Sequence, residues 1–216
     1  MILSPLKAQG LERPLSAAKI ISQRIKYMKK GKPFSRAIFV KIGSRSAVNK
    51  ALSTMVRTGF LERITRGIYM RPKHSTYIGR VRPSPLKIVG IISKVNGEII
   101  QVHGAEAARR LGLSTQMQLL PTYYTSGYTR SIKAGNAVVR LQHVCKHRLQ
   151  HAGTKVGLAL TVLYYIGKKG VSTEVLRKIS EALNGEEFTK LRASNMPKWM
   201  RLAFELFDDH SKLDNG

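Results

Sequence analysis

Acidic residues are scarce in this chain of 216 residues, which holds 12 Asp and Glu against 38 Lys and Arg and carries a formal net charge of +26. Such an excess of positive charge is far larger than solubility requires. The shortage of carboxylates also argues against a two-metal nuclease, because clustered acids hold the metal ions of such enzymes. The composition therefore favours a protein that binds a polyanion and is not an enzyme.

Cysteine and long apolar runs are also rare. Cys145 is the only cysteine, so no disulfide can form within the chain. The sequence opens without the charged start, apolar run and small-residue cleavage site of a secretory signal. The longest apolar stretch, residues 156–166, is far shorter than the ~20 residues that cross a bilayer, and it predicts a buried helix. We therefore expect a cytoplasmic protein with no membrane partner.

Positive charge is concentrated at the N-terminal end of the chain. Residues 1–83 hold 19 Lys and Arg against 2 acids, a net +17; residues 84–171 hold 12 against 2, and residues 172–216 hold 7 against 8. A local excess of this size is the electrostatic footprint of a surface that lies against a phosphate backbone. The balanced C-terminal segment has the charge of an ordinary globular surface.

The first sixty residues contain the signals of three successive helices. Serine N-caps and apolar residues at helical spacing predict helices over residues 16–30, 35–40 and 44–58. The residue before Pro33 avoids the α conformation, so the chain is expected to be extended there. Gly59 ends the third helix.

A basic hairpin is expected after the third helix. Residues 60–64 and 68–70 are rich in β-forming residues, and the intervening Thr65, Arg66 and Gly67 can turn because glycine tolerates positive φ. The order helix, short helix, turn, helix and hairpin is that of a winged helix-turn-helix. In that fold the third helix enters the major groove of DNA, and the hairpin, called the wing, lies along phosphates.

The third helix has an apolar side and a polar side that lacks acids. Its apolar stripe comprises Val48, Ala51, Leu52, Met55 and Val56. The polar side carries short polar and cationic side chains that can reach base edges, whereas an acid there would be repelled by phosphate. The residues expected to contact DNA are Arg45, Ser46, Asn49, Lys50, Ser53, Arg57, Arg63 and Arg66. The competing interpretation is a protein-binding module with a solvated polar side, but such a module has no need for so few acids.

The remainder of the chain predicts a second, larger domain. Residues 73–83 are basic and bounded by prolines, which predicts a linker between a DNA-binding domain at 1–72 and an interaction domain at 84–216. In the second domain we expect helices over 84–96, 105–111, 154–168, 173–183, 186–193 and 197–207, and strands over 98–102, 119–125, 129–132 and 137–143. The expected fold class is α+β: a winged helix-turn-helix, then a larger α+β domain with a small, mostly antiparallel sheet and a helical C-terminal end.

No constellation of residues predicts catalysis or a cofactor. His143, His147 and His151 are four residues apart, which suits a metal ion only if all three share a helix. The first is expected on a strand, and no nearby carboxylate would orient them. Ser114 lies in a polar turn without the setting of a nucleophilic serine. An enzyme acting on nucleic acid, with Glu98 in its site, stays open as a disfavoured alternative.

A cluster of tyrosines keeps a second alternative open. Tyr123, Tyr124 and Tyr128, with Arg130 and Lys133, could stack on and bind single-stranded bases. Tyrosine is also a favoured strand residue, so core and turn positions are the better interpretation. An RNA-binding protein therefore remains an alternative to a DNA-binding one.

Several segments resemble a known protein family. The N-terminal part of the chain resembles the N-terminal domain of AbiEi-family antitoxins, which belong to type IV toxin-antitoxin systems. The resemblance lies in residues 43–48, Leu52, Val56, Gly59 and residues 63–69. Residues 111–116 and 197–200 are similar to a subfamily described as a domain of unknown function or as transcriptional regulators. The resemblance spans about residues 16–203.

The resemblance implies two activities. The winged helix of such proteins represses its own operon by binding double-stranded operator DNA, and the second domain counteracts a toxin resembling a nucleotidyltransferase. We therefore expect an autoregulatory antitoxin, with a stand-alone winged-helix regulator as the alternative. The oligomeric state stays open, because an operator with inverted repeats needs two copies whereas monomers can bind cooperatively.

Overall fold

The computed structural model describes residues 15–77, 79–134 and 137–213. The chain divides into two compact units, Met1–Pro83 and Ser84–Gly216. Both units contain helices and strands, so the α+β class expected from the sequence is confirmed. Every helix in the described ranges is too short or too polar to span a lipid bilayer.

The N-terminal unit is built from helices and short strands that alternate along the chain. In order, they are α1 (Ala17–Lys26), β1 (Pro33–Ser35), a 3-10 helix (Arg36–Phe39), α2 (Arg45–Arg57), β2 (Glu62–Thr65), β3 (Ile68–Met70), β4 (His74–Ser75) and β5 (Gly79–Arg80). Strands β1, β3 and β2 form an antiparallel sheet in that order. The first two predicted helices, the α2 helix and the β2–β3 hairpin all form, although the second helix is of the 3-10 type.

Serine caps begin the helices of this unit. The Oγ atoms of Ser16, Ser35 and Ser44 each accept a hydrogen bond from a backbone N–H in the first turn of the helix that follows. Helix α1 ends at Lys26, earlier than predicted. The guanidinium of Arg71 donates to the carbonyl oxygens of Lys26 and Met28 at 2.6 and 2.8 Å, and these bonds satisfy carbonyls that a longer helix would use itself.

The core of the N-terminal unit lies between α1, α2 and the three-stranded sheet. Ile21 and Ile25 of α1 and Leu52 of α2 are completely buried together with Phe39. The Phe34 ring of β1 packs edge-on against Phe39. Burial of one side of α2 in this core leaves its opposite side facing solvent.

Residues 73–83, predicted to be a linker, belong instead to the N-terminal unit. They contain the β4–β5 hairpin, and the Val81 N–H donates to the Lys73 carbonyl oxygen at 2.9 Å. Arg80 also forms an ion pair with Glu62 of β2, with Nη2 and Oε2 2.9 Å apart. These backbone and ionic bonds attach the segment to the fold, which its basic, proline-bounded sequence did not indicate.

The second unit combines one sheet with a helical C-terminal half. Its elements are α3 (Pro85–Asn96), β6 (Ile100–Val102), α4 (Gly104–Arg110), β7 (Thr122–Thr125), β8 (Arg130–Ala134), β9 (Ala137–His143), a 3-10 helix (Lys146–Leu149), α5 (Lys155–Ile166), α6 (Thr173–Ala182), α7 (Gly185–Arg192) and α8 (Lys198–Leu213). The sheet order is β6-β7-β9-β8. Because β7 and β9 are parallel while the other two pairings are antiparallel, the sheet is mixed and, as predicted, mostly antiparallel.

Helix α5 is the centre of the second core. Val156, Ala159, Leu160, Val162 and Leu163 are at most 2% exposed. Residues from α4, α6, α7 and α8 complete the same apolar cluster. The longest apolar run of the sequence is therefore a buried helix, as predicted.

Candidate nucleic-acid interface

Helix α2 presents a polar and cationic side to solvent. Val48, Ala51 and Leu52 are buried on its other side. The exposed residues of the helix are Arg45, Ser46, Lys50, Ser53, Thr54 and Arg57. No hydrogen bond or ion pair joins the three cations among them to another residue in the described ranges. Their charges are therefore available to an external anion.

The β2–β3 hairpin carries the two arginines that the sequence predicts for the wing, and both are exposed. Arg63 lies on β2 opposite Tyr69, and Arg66 lies in the turn beside Gly67. Gly67 has φ +78°, a conformation that an L side chain rarely adopts. A register shift between Arg63 and Thr65 marks a bulge, which bends and twists the strand. Neither arginine has an ionic partner in the part of the chain that the structure describes.

The charge around these residues is almost entirely of one sign. Glu62 is the only acid between residues 15 and 83. Its side chain is 11% exposed and is paired with Arg80. The exposed side of α2 and the hairpin beside it therefore present no carboxylate to repel phosphate.

Asn49 is the predicted DNA-contacting residue whose surroundings differ most from expectation. It is half-buried rather than exposed, and its Oδ1 accepts a hydrogen bond from Arg36 Nη1 at 3.1 Å. The Arg36 backbone N–H donates to the Gly67 carbonyl oxygen at 3.0 Å. Arg36 thus connects the hairpin turn to α2. Sequence analysis missed this residue, whose only signal was a cation directly after the capping Ser35.

Glu98, on which the enzyme alternative depends, accepts hydrogen bonds from three residues of the second unit. Arg130 Nη2 lies 2.9 and 2.7 Å from its Oε1 and Oε2, and Asn96 and Thr125 each donate to it at 3.1 Å. A β-carbon on Gly127 would lie 2.5 Å from the Glu98 carboxyl carbon. Desolvation raises the pKa of Glu98, but the hydrogen bonds from Arg130, Asn96 and Thr125 outweigh it and lower the pKa below 4.5. This carboxylate stabilises the fold and is poorly suited to accept a proton from a substrate.

The three evenly spaced histidines do not share one helix. His143 is the last residue of β9, with Nδ1 2.6 Å from the Gly127 carbonyl oxygen. His147 lies in the following 3-10 helix, and His151 follows it with φ +53°. Within the described ranges no three His, Cys, Asp or Glu side chains are close enough together to hold a metal ion.

The tyrosine cluster is divided between core and surface. Tyr124 is 7% exposed, and Tyr123 packs against the main core of the second unit. Desolvation raises the pKa of both phenols. Tyr128 is 69% exposed, and the Arg130 guanidinium lies 4.5 Å from its ring centroid. A single exposed ring is a much smaller platform for stacked bases than the three tyrosines of the sequence.

Comparisons with known proteins identify a family and show similarity to a solved structure. A model described as a family of unknown function, DUF6088, matches residues 20–191. No curated protein is similar to the chain in sequence. The crystal structure of the RV2827C protein from Mycobacterium tuberculosis is similar with a TM-score of 0.44 and 12% identity, over 90% of this chain and 77% of that one.

Proposed function

The chain belongs to the DUF6088 family, whose function is unknown, and we propose that it is a sequence-specific DNA-binding protein that acts as an autoregulatory antitoxin. In this proposal the N-terminal unit is a winged helix-turn-helix. Helix α2 is its recognition helix in the major groove, and the β2–β3 hairpin is its wing along the phosphates.

The acid-free exposed side of α2 carries the proposal. Arg45, Lys50 and Arg57 are exposed there, next to two more arginines of the wing. Duplex DNA has one negative charge per ~1.7 Å of its axis, so such cations gain from counterion release when they contact it. Ser46 and Ser53 add short hydroxyl groups that can donate to or accept from base edges. A surface with both kinds of group is better suited to bind a DNA duplex than to bind a generic acidic protein.

The antitoxin part of the proposal rests on the resemblance of the chain to AbiEi-family antitoxins. That resemblance includes residues 43–48 and 63–69 in the N-terminal unit and residues 111–116 in the second unit. The second unit would counteract a nucleotidyltransferase-like toxin, with or without direct contact. If no such toxin exists, the chain would be a stand-alone transcriptional regulator that binds DNA through the same surface.

Binding of the intact chain to the DNA upstream of its own gene tests the DNA-binding part. The competitors are a shuffled duplex of equal composition and a structured RNA of equal length. We expect the upstream duplex to bind at least about 1,000-fold more tightly than the shuffled one, since specific sites exceed non-specific ones by roughly that factor or more. Equal competition by the shuffled duplex would contradict sequence-specific binding, and stronger competition by the RNA would support the RNA-binding alternative.

Co-expression tests the antitoxin part separately. The neighbouring gene is expected to encode a nucleotidyltransferase-like protein that arrests growth when it is expressed alone. Simultaneous expression of this chain should restore growth. If no neighbouring product is toxic while the chain still represses its promoter, the stand-alone regulator is the correct description.

A further inference from the structure

We infer that Arg36 fixes Asn49 as a hydrogen-bond donor toward DNA, so that α2 favours a base whose major-groove edge presents only acceptors, guanine or thymine, over adenine. The inference rests on the proposed DNA-binding function and specifies one contact within it. It begins from the bond between Arg36 Nη1 and Asn49 Oδ1, which is 3.1 Å long.

The orientation of the Asn49 amide follows from the chemistry of its partner. A guanidinium group has only donors, so the amide oxygen and not the nitrogen must face Arg36. The backbone of Arg36 is anchored at the hairpin turn, because its backbone N–H donates to the Gly67 carbonyl oxygen at 3.0 Å. Its side chain also passes the hairpin turn, where a β-carbon on Gly67 would lie 3.8 Å from Arg36 Nε. The amide oxygen of Asn49 is therefore turned toward Arg36, and the amide nitrogen is turned away from it.

The nitrogen of the same amide is the group left for DNA. Asn49 Nδ2 donates to no other residue in the described ranges, and it is not among the buried polar atoms that lack a partner. Because an unbonded Nδ2 that was fully buried would be among those atoms, Nδ2 retains some access to solvent. It presents two N–H donors on the polar side of α2.

A donor of this kind discriminates between bases. Asparagine recognises adenine by accepting from N6 and donating to N7 at once, which requires an amide oxygen that is directed at the base. With Oδ1 directed at Arg36, Asn49 can give adenine only the single bond from Nδ2 to N7. Turning Oδ1 toward the base would weaken its charge-assisted bond to Arg36, which is costly in a half-buried position. Guanine N7 and O6 and thymine O4 need only donors. The structure thus favours guanine or thymine opposite Asn49.

The substitution Asn49→Asp tests this inference because it removes the donor and keeps the oxygen that Arg36 binds. The probe is the duplex that the wild-type chain selects from a random pool, together with all its single-base-pair variants, measured by fluorescence anisotropy at constant salt. For the wild-type chain, replacing one particular guanine or thymine of this duplex should lower the affinity about 5- to 100-fold. In Asn49→Asp this dependence should disappear or move to cytosine, whose N4 amino group is a donor.

Two further variants serve as controls. Arg63→Gln changes the net charge by the same amount on the wing, and it should weaken all duplexes alike and leave the base preference unchanged. Arg36→Met releases the amide of Asn49 and keeps an unbranched stem, so it should increase tolerance for adenine at the same position. Thermal unfolding of each variant checks that the fold is retained.

The outcomes separate this inference from the function on which it rests. If the wild type selects a sequence and Asn49→Asp keeps the same preference at every position, the donor role is wrong and DNA binding stands. An adenine at the position that responds to Asn49→Asp would also overturn the donor role. If the wild type selects no duplex sequence at all, the proposed function fails, and the inference fails with it.

Discussion

Glu98 and Arg130 form the least exposed ion pair in the part of the chain that the structure describes, with side chains 9% and 13% exposed. Their bonds join the segment before β6 to the first residue of β8. Because the carboxylate also accepts from Asn96 and Thr125, its oxygens have little capacity left for a substrate. The residue that offered the best case for an enzyme is therefore explained by the architecture of the second unit.

We predict that Glu98→Gln destabilises the second unit by roughly 3 kcal/mol at neutral pH, because Arg130 is left without a charged partner in a mostly buried position. The pKa of Glu98 is lowered in the folded state. The stability that Glu98 contributes is therefore fully present above its ordinary pKa near 4.5 and is lost as pH falls through the lower folded value. The difference in urea midpoint between wild type and variant should shrink below about pH 4.5.

Glu181→Gln provides the matched control for this measurement. Glu181 is paired with Arg177 on the surface of α6, and both side chains are more than half exposed. Exposed pairs contribute little, since water screens them. An equal loss of stability in the two variants, or a difference at Glu98 that does not depend on pH, would contradict the structural role of Glu98.

Single residues also show what could not be predicted from sequence. Arg45, Lys50 and the two wing arginines are exposed as expected, because amphipathic periodicity determines which side of an element faces solvent. The partner of Asn49 is a different case. Arg36 lies thirteen positions away, and the two meet only because the 3-10 helix passes between the hairpin turn and α2. Such a contact depends on tertiary packing, which no local pattern reports.

At the scale of elements, helix starts were the most predictable feature. A cap is a local interaction between a side chain and the backbone two or three residues on, so Ser16, Ser35 and Ser44 could be recognised from sequence alone. Ser84 is an instructive exception. It precedes α3 as predicted, but its side chain makes no capping hydrogen bond. Pro85, with its fixed φ, suits the first turn without that bond.

This contrast leads to a prediction about two serine substitutions. Ser44→Ala removes the bond from the Ala47 N–H to Ser44 Oγ, which is 3.2 Å long, and should cost α2 about 1 kcal/mol. Ser84→Ala removes no such bond and should cost α3 much less. Hydrogen exchange of the amides in the first turn of each helix measures the two effects independently. Equal acceleration in both helices would show that the Ser44 cap contributes nothing particular to α2.

Strand pairing was the least predictable feature at this scale. The sequence predicted a small, mostly antiparallel sheet without a strand order, and in the structure β9 lies between β7 and β8 and pairs with β7 in parallel. The residues of β7 therefore face Arg140–His143 and not the strand that follows them in sequence. Because parallel pairing needs a long connection, it depends on the whole unit and leaves no signal in the strand sequences.

At the scale of the whole molecule, charge divides the chain into regions of different electrostatic character. The first 83 residues carry a net +17, whereas residues 172–216 are nearly neutral. Glu62, the only acid between residues 15 and 83, is paired with Arg80. The positive field of this unit is therefore almost uncompensated, which favours fast and salt-dependent association with a polyanion. Composition alone sufficed for this conclusion, since charge counts do not depend on the fold.

The most direct test of DNA binding through α2 and the wing is to measure how the DNA affinity of the double variant Arg63→Ala plus Arg66→Ala depends on salt concentration. If both arginines neutralise phosphates, the slope of log K against log salt should fall by about 1.8, because each neutralised phosphate contributes about 0.9. The control is Lys168→Ala plus Lys169→Ala, which removes the same charge from an exposed turn of the second unit. We expect the control to keep the wild-type slope for upstream duplex. A wing variant with unchanged affinity and unchanged slope would contradict the placement of this hairpin and of α2 against DNA.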